Sequence, residues 1–159
     1  MAETGQYIEI LLESLQKKKT LLEAIQEENQ KQEAAVKADG GLDAFDKTVK
    51  IKGRLIRELN GLDDGFETVY ARIKEELAQN PTAYRNEIAQ MQRLIAEITE
   101  LSVSVQASEQ RNKQLVEGYF SYTKGKIRHA KKSMQVAAGY YKAMSGANFS
   151  DSQLMDRKK

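Results

Sequence analysis

The side chains that most readily do chemistry are scarce: one histidine, no cysteine, and adjacent acids such as Asp63-Asp64 and Glu75-Glu76. His129 sits among Lys126, Arg128, Lys131 and Lys132. A Glu-x-x-His pair of the di-metal kind would need a glutamate at position 126, where this chain has lysine, and no second histidine exists. Without a cysteine, or an acid near His129 in sequence to orient it, nucleophilic catalysis has no starting pair. Adjacent acids on a helix point in different directions and do not converge on one substrate. Gly125-Lys126 lacks the spacing of a phosphate-binding loop. The residues therefore predict no enzyme, no metal and no cofactor.

Charge is the next feature. Residues 1–110 carry 14 basic and 20 acidic side chains, whereas 111–142 carry 8 basic and 1 acidic. Such an acidic body with a basic late segment suits phosphate contact through Lys124, Lys126, Arg128, Lys131 and Lys132, with Tyr119, Phe120 and Tyr122 able to stack on bases. The aromatics, however, share the apolar stripe while the charges spread around it. A basic helix covering an acidic partner, or the acidic body of its own bundle, accounts for the same residues, and nucleic acid ranks below these.

The elements that must position these residues are helices. Apolar residues recur at three- and four-residue spacing through nearly the whole chain, interrupted at Gly40-Gly41 and Asn80-Pro81. The spacing predicts an all-α, elongated antiparallel bundle of three long helices over about 4–38, 43–79 and 81–144, the third kinked or protruding, followed by a flexible tail at 145–159. On the first helix Ile8, Leu11, Leu15, Leu22, Ile25 and Val36 form a heptad-like seam, diluted by Lys18, Asn29 and Gln32; the polar stretch 26–32 is expected to fray or project. Asp39-Gly40-Gly41 should end it with a left-handed glycine cap. Asp43 should cap the second helix, which is expected to stay continuous past Gly53, Gly61 and Gly65. Asn80 should cap the third, with Pro81 at its first position. The third stripe extends to Met144, too long for the other two to cover unless it turns back near Gly118 or Gly125.

Four of the seven tyrosines are Tyr119, Tyr122, Tyr140 and Tyr141, and they share the late stripe with Leu115, Ile127, Met134 and Met144. Tyrosine and methionine suit adaptable, partly wet contacts. These eight residues are the expected partner-binding surface, taking a helix in a groove or completing a bundle.

The order of parts resembles the FlgN family of flagellar type III export chaperones. The resemblance is carried by an N-terminal helix with Leu11-Leu12 and Leu21-Leu22, a segment Lys52-Gly53-Arg54-Leu55-Ile56-Arg57-Glu58-Leu59 followed by Leu62-Asp63, and a late segment Arg111-Asn112-Lys113-Gln114-Leu115-Val116. A Tyr/Gly/Lys-rich tract and a polar tail follow. The resemblance implies a cytosolic helical protein that holds hook-filament junction proteins of the FlgK and FlgL kind before export, binding their C-terminal helical segments through its own C-terminal region. The alternatives are a self-associating coiled-coil protein, which would form a homo-oligomer, and, less favoured, a basic-helix nucleic-acid binder.

A mean hydropathy of −0.63 and 30% charged residues fit a solvated bundle whose helices each bury one side. No window approaches the roughly 18 consecutive apolar residues of a spanning helix. The N-terminus has no basic region followed by an apolar run. The expected location is the cytoplasm, with no membrane insertion.

Overall fold

The computed structural model describes the backbone of residues 2–38, 41–122 and 127–146, and the side chains of 4–38, 41–119 and 135–144. Four helices account for it: α1 (Ala2–Lys37), α2 (Leu42–Gln79), α3 (Arg85–Tyr122) and α4 (Ile127–Gly146). No strand occurs among the described residues.

Each long helix forms because one heptad seam runs its length. On α1 the buried positions Ile8, Leu11, Leu15, Lys18, Leu22, Ile25, Asn29 and Gln32 alternate in steps of three and four. On α2 the same steps place Phe45, Val49, Lys52, Ile56, Leu59, Phe66, Tyr70, Ile73 and Leu77 inside, with half-buried Asp63 filling the one missing step. On α3 they place Met91, Ile95, Ile98, Ser102, Val105, Glu109, Asn112 and Val116. Such a stripe stabilises a helix only by meeting another, each fully buried aliphatic side chain contributing about 1.5–3 kcal/mol.

Cross-helix pairs fix the topology. Thr4 meets Glu76, Lys18 meets Asp63 and Gln32 meets Thr48, so α1 and α2 run antiparallel. Lys19 meets Glu97, Gln26 meets Ser104 and Asn29 meets Ser108, so α1 and α3 run parallel. Tyr140 reaches back to Glu109, so α4 reverses direction and lies mainly on α2. At 1.5 Å per residue the first three helices are each roughly 55 Å long and α4 about 30 Å. Among the described residues, one end of the bundle therefore has three helices and the other four.

Several expectations change. The stretch 26–32 neither frays nor projects: Asn29 and Gln32 are fully buried at seam positions, because α2 and α3 supply polar partners there. The third helix does not run on to 144. It passes Gly118 without a break and ends at Tyr122, and α4 begins at Ile127; Gly125 lies outside the described residues. Gly41, not Asp43, is the N-cap of α2; its φ is −78°, and it is required by space, since a Cβ would sit 1.9 Å from the Ala35 carbonyl oxygen. Asn80 caps the end of α2, its backbone N–H donating to the Glu76 carbonyl at 2.9 Å, and residues 81–84 form a turn before α3. Ser145 and Gly146 belong to α4 rather than to the tail, and the rest of the expected tail, 147–159, lies outside the described residues. Continuity of α2 past Gly53, Gly61 and Gly65 is as the stripe predicts.

Candidate functional site: a buried polar cluster roofed by α4

Polar residues at seam positions have to find one another, because an unpaired polar group in a core costs about 1–3 kcal/mol and a charged one more. Here they do so across helices. Lys18 of α1, 2 % exposed, pairs with Asp63 of α2 at 2.9 Å. Further along, Lys52 of α2 has no solvent exposure, and its ammonium lies 2.8 and 3.0 Å from the two carboxylate oxygens of Glu109 on α3. The same ammonium donates to Gln32 Oε1 on α1 at 3.0 Å.

Gln32 is the hub. Its Oε1 also accepts from Asn112 Nδ2 at 3.2 Å, and its Nε2 donates to Thr48 Oγ1 at 3.2 Å. Asn112 Nδ2 donates to the Asn29 carbonyl at 2.9 Å, and Asn29 Nδ2 donates to Ser108 Oγ at 2.6 Å. Three helices are thus stitched at one level, which fixes their register as a buried polar residue does in a coiled coil.

α4 closes the cluster. Tyr140 lays its ring 4.3 Å from the Lys52 ammonium and donates its hydroxyl to Glu109 Oε1 at 2.8 Å, while the Tyr141 ring centroid is 5.9 Å from the same nitrogen. The two rings meet edge to face, 5.3 Å apart. A cation over an aromatic face is stabilised by the ring quadrupole, more so when desolvated. Burial pushes the Lys52 ammonium below its ordinary range, opposed by the Glu109 charge. Burial, reinforced by that same carboxylate, pushes the Tyr140 and Tyr141 phenols far above theirs. The Tyr141 hydroxyl finds no hydrogen-bond partner among the described residues.

Of the eight residues expected to bind a partner, Tyr140 and Met144 are buried against this cluster and the core beside it, so the chain itself covers them. Leu115, Tyr119 and Tyr141 are half-buried. Tyr122 ends α3, and Ile127 and Met134 belong to α4; their side chains lie outside the described residues, as do His129 and the basic residues 124–132. Lys52, Glu109, Gln32 and Asn29 were not among the expected site residues. The available signal was their phase, a charge or amide standing where the heptad calls for an aliphatic side chain.

Lys52 is enclosed, and two surface grooves of about 450 and 550 Å³, on the α1/α3 and α1/α2 faces, are lined by other residues. Among the described residues no three His, Cys, Asp or Glu side chains converge to hold a metal ion. No described helix is long and apolar enough to cross a membrane. The fold and the site together define an all-α bundle with a short fourth helix seated on a charged pair. Comparison with protein-family models, with curated proteins and with solved structures finds no match to this chain.

Proposed function

We propose that this protein is a cytosolic helix-binding chaperone of the FlgN type, holding the C-terminal helical segments of hook-filament junction proteins like FlgK and FlgL before type III export. The proposal rests on the sequence resemblance and on one structural observation: α4 packs on the body of α1, α2 and α3, and among its described side chains, 135–144, Ala137, Tyr140 and Met144 are buried, Tyr141 is half-buried and the others are exposed. A short helix seated on a longer three-helix body is suited to rearranging around a client. Binding an amphipathic client helix would add apolar burial at about 25 cal/mol per Å², offset by the ordering of the client.

Self-association finds less support, since the seams of α1, α2 and α3 are all used within one chain. The test is titration of the full chain with C-terminal peptides of hook-filament junction proteins, followed by amide exchange. The expected result is stoichiometric binding with altered protection over 115–144. Absence of binding by these peptides would remove the flagellar assignment.

A further inference from the structure

The floor beneath α4 is built without α4. Lys52, Glu109 and Gln32 come from α2, α3 and α1, and their mutual bonds at 2.8–3.0 Å hold the ammonium and the carboxylate in place from three sides. The roof adds Tyr140, with its ring over the cation and its hydroxyl donating to the anion. Among the described side chains of α4, 135–144, residues 137, 140 and 144 form one buried stripe and Tyr141 is half-buried beside it, whereas Gln135, Val136, Ala138, Gly139, Lys142 and Ala143 are exposed. The roof is imperfect, because the Tyr141 hydroxyl is enclosed with no partner among the described residues.

We infer that the groove between α2 and α3 is an exchangeable helix-binding site, and that its external ligand is an amphipathic helix carrying a small residue, a tyrosine and a methionine or leucine at positions i, i+3 and i+7. This rests on the helix-binding function proposed above and specifies the chemistry that the client must have. The small residue lets the helix approach closely at the level of Ala137, and the long aliphatic or thioether side chain takes the Met144 position. The tyrosine carries the specificity. Phenylalanine would supply the ring but leave the Glu109 carboxylate, already desolvated, short of a donor. The chain's own α4 competes for the groove at the high effective concentration of a tethered ligand, so a client displaces it rather than entering an open cleft.

The probe is a labelled synthetic peptide with the sequence of residues 127–146, titrated by fluorescence anisotropy into three full-length chains: wild type, Tyr140→Ala and Met144→Ala. Amide protection of α1–α3 serves as the check of fold. The expected result is at least tenfold tighter binding to the two variants than to wild type, because their own α4 competes poorly. A Tyr140→Phe peptide should bind about tenfold more weakly than the natural one, the loss of one charge-assisted hydrogen bond. Equal affinity for all three chains, or no binding to either folded variant, overturns the inference. So does a doubling of the wild-type mass at the concentrations used, which would assign the groove to the α4 of a second copy.

Competition by the junction-protein peptides separates the two proposals. If the 127–146 peptide binds as expected and those peptides do not displace it or bind, the groove stands and the flagellar assignment falls. If they bind without displacing it, the chaperone assignment stands and the exchangeable groove is refuted as their site.

Discussion

At the three-helix end the seam of α1 is mostly aliphatic, with Ile8, Leu11, Leu15, Leu22 and Ile25 in one core with Leu59, Ile73, Met91, Ile95 and Ile98. At the four-helix end the same seam continues in phase, yet its occupants are Asn29 and Gln32, facing Lys52, Glu109 and Asn112. The first end gains stability from apolar burial, which is non-directional and tolerates small shifts. The second gains little net stability from its charges, since desolvation offsets much of their attraction, but it admits few alternative registers. The difference shows that heptad phase and hydrophobicity are separable: one phase builds the whole body, and the chemistry placed on it differs from end to end.

The comparison breaks most readily at Glu109. Glu109→Leu leaves the Lys52 ammonium enclosed with only Gln32 to bond it, and should cost about 3–5 kcal/mol in urea unfolding. The double variant Lys52→Met/Glu109→Leu should cost much less than the sum of its two single changes, because no orphaned charge remains. Additive costs in that double-mutant cycle would show that the pair is not coupled.

At the aliphatic end Ile95→Ala should cost about 2–5 kcal/mol as a cavity, with α4 protection unchanged. Loss of α4 protection in that variant would mean that the two ends do not behave as separate regions.

Alkaline pH sharpens the contrast. The folded-state pKa values of Tyr140 and Tyr141 lie above the ordinary 10.0, so the folded chain keeps protons that the unfolded chain releases. Their contribution is complete below pH 10 and is lost as pH rises beyond it. Lys52 acts oppositely: its pKa is lowered from 10.5, so its charge penalises the folded state less as pH rises toward that value. Unfolding midpoints measured from pH 8 to 11.5 should therefore fall less steeply above pH 10 in Tyr140→Phe than in wild type. Parallel curves would mean that Tyr140 is not held in its enclosed, protonated form. The smallest effect belongs to the surface: Lys37→Ala removes an exposed i,i+4 pair with Glu33 and should leave the midpoint unmoved.

Much of the body was legible in the sequence, because the three- and four-residue spacing is a direct record of burial and Asn80-Pro81 marks the turn between α2 and α3. The separation of α4 was legible only in part: the length of the third stripe left a turn back near Gly118 or Gly125 as one option, but no proline stands between Tyr122 and Ile127 to mark it and the apolar stripe continues on the far side. The polar cluster was hidden for a different reason. Lysine and glutamate are ordinarily solvated, so Lys52 and Glu109 read as surface charges unless their seam position is weighed above their residue type. Asn29 and Gln32 did show as dilutions of the stripe, but their partners come from other helices, 16–83 residues away, and no local pattern reveals such pairing. Tyr140 and Met144 were recognised as important, and what sequence could not show is that the chain already covers them with its own groove.

Native-state amide exchange of the full chain, followed across sub-denaturing urea, tests the division most directly. The account predicts that amides of residues 137–144 open with a low free energy and little urea dependence, while those of Leu22–Ile25 and Ile95–Ile98 open only with global unfolding. Residues 137–144 exchanging solely through global unfolding, with the protection of the aliphatic end, would contradict it.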